Sequence, residues 1–457
     1  MMKTRKNITI VMVAILAITT IPGLMSCKKL LEDKPDSSLS LVTSLKDMQA
    51  LMDYYPTVNF REAGSGEASS DDYFLTSADW SARTEQERRL YLWEADNIFA
   101  PVSNSWRDTF QPVFLANTVL QSLEGSSKGT LGAGYEDIKG QALFIRAKCY
   151  LQAAAIWCLA YDPATVESTL GLPLRLDPDY NTPSVRSNLA QTFVQIEADL
   201  LEAARLLPEK PLHVMRGSKG AAYGLLSRLY LYMGRYALAG EYASKGLAIN
   251  STLIDYNSLS ATANFPLVQF NPEVIYASHF STPAQLTQAR ARISDGLLSL
   301  YPAEDLRRNI FFKAGTSATT IFKGSYEGSA SLFCGVATDE LLLNLAEAKA
   351  REGSASEALT LLNSLRIKRI KKANYVPLSG LDASAALEQV LLERRRELVF
   401  RGIRWMDIKR LNREGRAITL KRTLDGKEYV LAPNDLRFAL AIPEDVIRLS
   451  GMQQNPR

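Results

Sequence analysis

TDELLLNLAEAKAREG, residues 338–353, is followed directly by SASEALTLLNSLR, residues 354–366. In the first stretch Leu341, Leu345 and Ala348 recur at i, i+4 and i+7, the spacing that gathers side chains on one helical face. Gly353 supplies the positive φ that a helix end commonly needs. Ser354 with Glu357 three residues on has the pattern of a capping box that would start a second helix. Two helices joined by so short a turn form an antiparallel hairpin, whose apolar faces need further helices to cover them. A third helix is expected over Ala383–Phe400. It carries ERRRELVF, residues 393–400, and runs into RGIRWMDIKR, residues 401–410. The spacing therefore predicts a mainly α-helical fold, with the remaining chain surrounding and extending this scaffold.

A second unit has the same layout. Tyr223, Leu226 and Tyr230 precede Gly234-Arg235-Tyr236, and Ala239, Ala243 and Gly246 follow. This order of aromatic, Gly, Tyr and small residues is that of a tetratricopeptide repeat. The two units are far apart in sequence, so insertions interrupt the repeats. Further helices are expected over Leu45–Tyr55, Ser105–Leu120 with Pro112 as a kink, Asp137–Tyr161 and Asn188–Leu207. Asp137–Tyr161 is apolar on nearly all sides, which predicts deep burial. Between Asp255 and Gly335 the helical pattern lapses, and Phe265–Phe280 reads as short strand material. Asp425-Gly426, between two runs of strand-forming residues, predicts a hairpin turn.

The N-terminus reads as an address. Lys3, Arg5 and Lys6 precede an apolar run, Ile8–Thr20, and Leu24-Met25-Ser26-Cys27 looks like a bacterial lipobox. The expected division is a lipoprotein signal over 1–26, a tether over 27–44 and a body over 45–457. The body has an N-terminal part of about 45–250 and a C-terminal part of about 265–457. Cys27 would become the acylated first residue of the mature chain and hold it at a membrane. The full sequence has 53 basic and 49 acidic residues and a net charge of +4. Cleavage removes three basic and no acidic residues, which leaves a near-neutral body with no argument for nucleic acid. Cys149 and Cys158 would be separated by ~13 Å of helical rise, too far to form a disulfide.

Chemistry-bearing motifs are sparse. His213 and His279 are the two histidines, and neither stands in a zinc-ligand pattern. GSSKG, residues 125–129, matches Gly-x-Ser-x-Gly but follows a helix instead of a strand, which reads as a loop. Glu393–Glu397 mixes both signs of charge, the signature of structural ion pairing and not of a basic patch. Trp405 and Phe400 read as core. In the irregular segments Asp72, Tyr73, Trp80, Tyr301 and Tyr326 stand among Gly, Ser, Asp and Pro, where the backbone can curve to form a shallow surface. These five are the expected ligand contacts. No catalytic group, metal ligand or cofactor site is expected.

Several segments together resemble the SusD/RagB family of Bacteroidetes outer-membrane lipoproteins. Trp106–Leu120 resembles its Trp-x-x-x-Tyr … Ala-Asn-x-Leu helix, with Phe110 in place of Tyr. Ala222–Tyr236 is similar to its Leu-Tyr-Leu-Tyr-Met-Gly-x-Tyr unit, and Leu345–Arg366 to its Ala-Glu-Ala … Gly … Leu-Asn-x-Leu-Arg hairpin. Glu393–Arg410 resembles Glu-Arg-Arg-x-Glu-Leu-x-Phe-Glu-Gly-x-Arg-Trp-x-Asp-Leu-x-Arg, and Ile442-Pro443 with Gln454-Asn455-Pro456 its C-terminal signature. Two departures stand out. Arg401 replaces the usual Glu, and the acidic pair Asp339-Glu340 follows where an Arg usually precedes the hairpin. The resemblance implies tetratricopeptide-like helix pairs supporting an irregular, ligand-facing region with a few short strands. It also implies a non-enzymatic binding protein that passes a glycan, or in some members a peptide, to a SusC-like TonB-dependent transporter. Two further readings, a protein-binding repeat scaffold and a hydrolase with spatially paired carboxylates, lie outside the resemblance.

Overall fold

The stretch 338–353 forms a helix over Thr338–Arg351 in the computed structural model, which describes residues 42–125, 132 and 134–457. Helices of ten residues or more, among the described residues, are α1 (Ser105–Glu124), α2 (Tyr135–Trp157), α3 (Leu189–Leu206), α4 (Lys219–Met233), α5 (Tyr236–Ile249), α6 (Thr338–Arg351), α7 (Ala355–Arg366), α8 (Ala383–Glu397) and α9 (Arg404–Arg413). From α1 to α7 each packs against the next, and α8 closes over α6 and α7. The pairs α4/α5 and α6/α7 are the tetratricopeptide-like hairpins, and they pack on each other through α5 and α6. Ser44–Arg457 forms one compact unit. The lipobox and Ser126–Gly129 of the Gly-x-Ser-x-Gly match lie outside the described residues.

Both hairpin turns use a glycine with positive φ, +77° at Gly234 and +89° at Gly353. At Gly353 the closure is a Schellman motif. The Ser354 N–H donates to the Lys349 carbonyl at 2.9 Å and the Gly353 N–H to that of Ala350 at 3.2 Å. This corrects the expected capping box. Ser354 has φ −86° and ψ 65° and makes no side-chain cap hydrogen bond. The turn is so short that Ser354 both ends α6 and begins α7, and the first task sets its backbone. Glu357 instead lies 3.3 Å from Lys349.

The core between α6, α7 and α8 contains Leu342, Leu343, Ala346, Leu362, Leu365, Val390, Leu398 and Ile403. A fully buried side chain of leucine size contributes about 1.5–3 kcal/mol. α2 is buried along nearly its whole length, and its interior charges are paired. Arg146 binds Asp199 through two hydrogen bonds of 2.7 and 2.8 Å, and Lys148 binds Glu62. α1 continues through the buried Pro112. Cys149, Cys158 and Cys334 are buried free thiols. Burial pushes the Cys149 thiol up to about 12 and that of Cys158 to about 11. No helix of the described residues is long and apolar enough to cross a membrane.

Strands are short and occur in antiparallel pairs. Leu420–Leu424 and Lys427–Leu431 form the expected hairpin, with φ +50° at Asp425 and +77° at Gly426. The C-terminal signature is a clamp. Asn455 Nδ2 donates to the carbonyls of Trp157 and Leu440, and Gln454 bonds both backbone groups of Ile442.

The charged run on α8 holds the interior together. Arg394 donates to Asp407 and Asn344 at 2.7 and 2.6 Å, and Arg395 reaches Asp71 and Asp72. Glu397 accepts from Arg307 and Arg369, both at 2.7 Å. Phe400 and Trp405 are buried, as expected of core.

Candidate functional site

The structure places four of the five expected ligand contacts inside the protein. Asp72 is fully buried against Arg395. The Tyr73 hydroxyl donates to the Ala68 carbonyl at 2.7 Å, and that of Tyr301 to the Arg396 carbonyl at 2.7 Å. The Tyr326 hydroxyl bonds Glu273 and Asp339. All three tyrosine rings are no more than 2% exposed, and burial raises the pKa of each hydroxyl. These four are therefore not presented to a surface ligand. For Asp72 and Tyr73 the reason is that the Gly-, Ser- and Asp-rich stretch after Asn59 threads through the interior; Tyr301 and Tyr326 are drawn in by their bonds to Arg396 and to Glu273 and Asp339. In the stretch after Asn59 the helix Ser65–Ala68 packs on α9, and Asp71 and Asp72 meet the arginines of α8 and α9. Trp80 is half-buried and remains at the surface, with Nε1 donating to the Arg88 carbonyl at 3.3 Å and the Arg88 guanidinium 5.6 Å from its ring.

A different set of rings forms a platform. Phe60 lies flat against the His279 imidazole, with centroids 4.2 Å apart and planes within 6° of parallel. Tyr55 meets the edge of Phe60 at 5.2 Å. Tyr55 and its neighbour Tyr54 are 51% and 52% exposed, so their faces are open to a ligand. Beside them His213 packs edge-on to Phe270 at 4.6 Å. Pro56 falls in the first turn of the helix Tyr55–Val58 and fixes how the chain enters it.

Backbone and side-chain bonds set this platform. The His279 N–H donates to the Asn59 carbonyl at 2.9 Å, and the Glu62 N–H to the His279 carbonyl at 3.2 Å. The buried Asn59 side chain bonds the carbonyls of Met215 and Ala277, which ties the His213 loop to the same base. Arg216 and Asp53 form a two-bond clamp between that loop and the end of the helix Leu45–Met52. Behind the rings Glu327 is buried. Its Oε2 lies 3.1 Å from His279 Nδ1 and accepts from Gln269 Nε2 at 3.0 Å, while its Oε1 has no protein partner. The result is a preorganised apolar face edged by polar groups, the composition that stacks on the C–H face of a saccharide.

Residue types alone did not single out Tyr54, Tyr55, Phe60, His279, His213 and Phe270. The available signals were the Tyr-Tyr-Pro run opening the irregular region and the presence of both histidines of the chain at one surface. Weighing those histidines as metal ligands missed their use as rings.

Comparison with known proteins agrees with the fold. Residues 29–231 match a SusD-like family model described as starch-binding and associating with the outer membrane, and residues 339–438 match the model of the SusD family. No curated protein matches the chain. Among solved structures, a proposed sugar binding protein from Bacteroides vulgatus superposes with a TM-score of 0.75 at 21% identity, covering 91% of this chain and 99% of its own. A SusD superfamily protein from Bacteroides thetaiotaomicron gives 0.73 at 21% identity, covering 91% and 100%. One from Bacteroides fragilis gives 0.73 at 22% identity, covering 90% and 99%. The two family models together span about two thirds of the sequence, and the chain belongs to the SusD family, a family associated with the outer membrane.

Proposed function

We propose that this chain is a cell-surface lipoprotein that captures a glycan and delivers it to a SusC-like TonB-dependent transporter, without cleaving it. The observation that carries this reading is the open ring platform of Tyr54, Tyr55, Phe60 and His279. Large apolar groups are ordinarily buried, and a cluster held outward by a hydrogen-bonded base is a recognition surface. Family membership supports a nutrient-binding role at the outer membrane. The lipobox at Cys27 supports anchoring by acyl chains. Trp80, with Arg88 behind it, is a second candidate contact.

The test is binding of the purified mature chain to oligosaccharides and to peptide libraries. Tyr55→Ala is expected to weaken glycan binding about 2- to 10-fold, the worth of one stacking contact. Its melting temperature should stay near the parent's, because Tyr55 is half-exposed. Trp80→Ala should act in the same direction if the bound oligosaccharide reaches it. Binding of peptides alone would replace the glycan reading with peptide capture, and sugar released on incubation would overturn the non-enzymatic reading.

A further inference from the structure

Phe270 has φ +54°. Left-handed backbone is an outlier for so bulky a side chain and persists only where the surroundings impose it. Here bonds on both sides of the residue impose it. The Gly328 N–H donates to the Leu267 carbonyl at 3.0 Å, and Asn271 Nδ2 to that of Val268 at 3.0 Å. Asn271 also accepts the Glu273 N–H on its side chain at 3.1 Å and the Val274 N–H on its carbonyl at 2.9 Å. The Phe270 ring so placed is 38% exposed and meets the exposed His213 edge-on. The Met215 N–H donates to His213 Nδ1 at 3.3 Å, which fixes that imidazole. Leu212 and Val268, neighbours of this pair in the chain, are exposed as well.

This second ring pair shares its base with Phe60 and His279. The Ala277 N–H donates to the Val214 carbonyl at 2.8 Å, so His213 and His279 each stand within two residues of one hydrogen bond. Their Cα atoms are therefore no more than about 17 Å apart. A single carboxylate oxygen makes a further link. Glu327 Oε2 accepts from Gln269, the neighbour of Phe270, at 3.0 Å and lies 3.1 Å from His279 Nδ1. No ring contact joins the two pairs among the described residues. They are separate faces, held at a set spacing by bonds beneath them.

We propose that Phe270 and His213 form a second stacking subsite, and that the chain selects an oligosaccharide long enough to lie across both ring pairs. This inference rests on the glycan-capture reading and narrows its ligand by length. One sugar ring offers one C–H face to one aromatic face. A monosaccharide therefore fills one pair and leaves the other open to water. A longer chain engages both, and the second contact forms within a ligand that the first has already tethered. The strained Phe270 backbone is the means by which this loop turns an aromatic ring outward.

The experiment is titration of the mature chain, by calorimetry and NMR, with malto-, cello- and xylo-oligosaccharide ladders from monosaccharide to hexasaccharide. On the ladder that binds best, the hexasaccharide is expected to bind about 10-fold or more tighter than the monosaccharide. Phe270→Ala should weaken the hexasaccharide about 2- to 10-fold, the worth of one stacking contact. It should leave the monosaccharide nearly unchanged, because the rings of Tyr55 and Phe60 still hold it. Phe270→Tyr keeps an aromatic face at the same place and should keep the hexasaccharide's affinity. Equal affinity for the shortest and longest probes, or a length advantage indifferent to Phe270→Ala, overturns the second subsite and leaves glycan capture standing. A loss that Phe270→Tyr shares in full also overturns it, since the effect then belongs to the loop and not to the ring. Binding of no saccharide overturns both.

Discussion

Arg401 donates to Asp339 at 2.9 Å in the protein interior, with the two side chains 2% and 0% exposed. Arg401 and the acidic pair that contains Asp339 are two of the places where the sequence departs from the pattern it resembles, and Arg401 and Asp339 are each other's partner. The Arg401 guanidinium also lies 4.8 Å from the Tyr326 ring and 4.6 Å from that of Phe333. The companion acid Glu340 is bound by Arg228 through bonds of 2.7 and 2.6 Å. Both departures thus concern the interior, where charge can be exchanged between partners if both change together.

Breaking this pair leaves a buried charge uncompensated, which costs about 3–5 kcal/mol. Arg401→Met is expected to lower stability by that order in denaturant unfolding. Arg401→Met combined with Asp339→Asn should recover part of the loss, because the stranded carboxylate is gone. A double variant that loses the sum of the two single losses would show that the pair is not energetically coupled.

Gly353 sits at φ +89°, and an added Cβ would meet nothing within 4 Å. The cost of a side chain there is backbone strain alone. Gly353→Val is expected to destabilise by about 1–2 kcal/mol, and Gly353→Asn by less, since Asn tolerates the left-handed region. Equal losses for the two would contradict a purely conformational cause.

Glu67 is buried, and its Oε2 accepts the Gly402 N–H at 2.8 Å. Burial, reinforced by Asp72, pushes its carboxyl up to about 8 from 4.5. The folded state therefore holds this proton more tightly than the unfolded chain does. Its contribution is fully present below about 4.5 and declines as pH rises toward about 8, by up to about 1.4 kcal/mol per pH unit. Glu67→Gln keeps the shape and removes the titration. Melting curves from pH 5 to 8 should show the variant gaining on the parent as pH rises, and parallel curves would exclude Glu67 as the source.

Cys27→Ala is expected to move the chain from the membrane fraction to the soluble fraction after separation from any transporter. In the proposed reading the Cys27 thiol would carry the acyl chains, and stable anchoring would be lost with it. Fractionation of parent and variant side by side measures this, and unchanged membrane partitioning would assign retention to another contact.

Helix pairs and their glycine turns were legible in the sequence, because each depends on neighbours a few residues away; the mixed charge of Glu393–Glu397 marked it for ion pairing, but most of its partners stand 13 or more residues off. Of the row Leu341, Leu345 and Ala348, the first and last are buried and Leu345 is partly buried. Asp425-Gly426 turns a hairpin because two successive residues there must accept positive φ. Exposure has no such local code. Tyr55 opens a four-residue helix and Tyr73 lies in a two-residue strand, both short elements, yet one is 51% and the other 2% exposed. The difference is made by distant chain: Arg422 and Tyr91 cover Tyr73, while the His279 ring stacks on Phe60, whose edge Tyr55 meets. The pairing of Arg401 with Asp339 likewise spans 62 residues. Helical periodicity and turn stereochemistry were therefore fixed by the sequence alone, and the site was decided by packing between segments far apart in it.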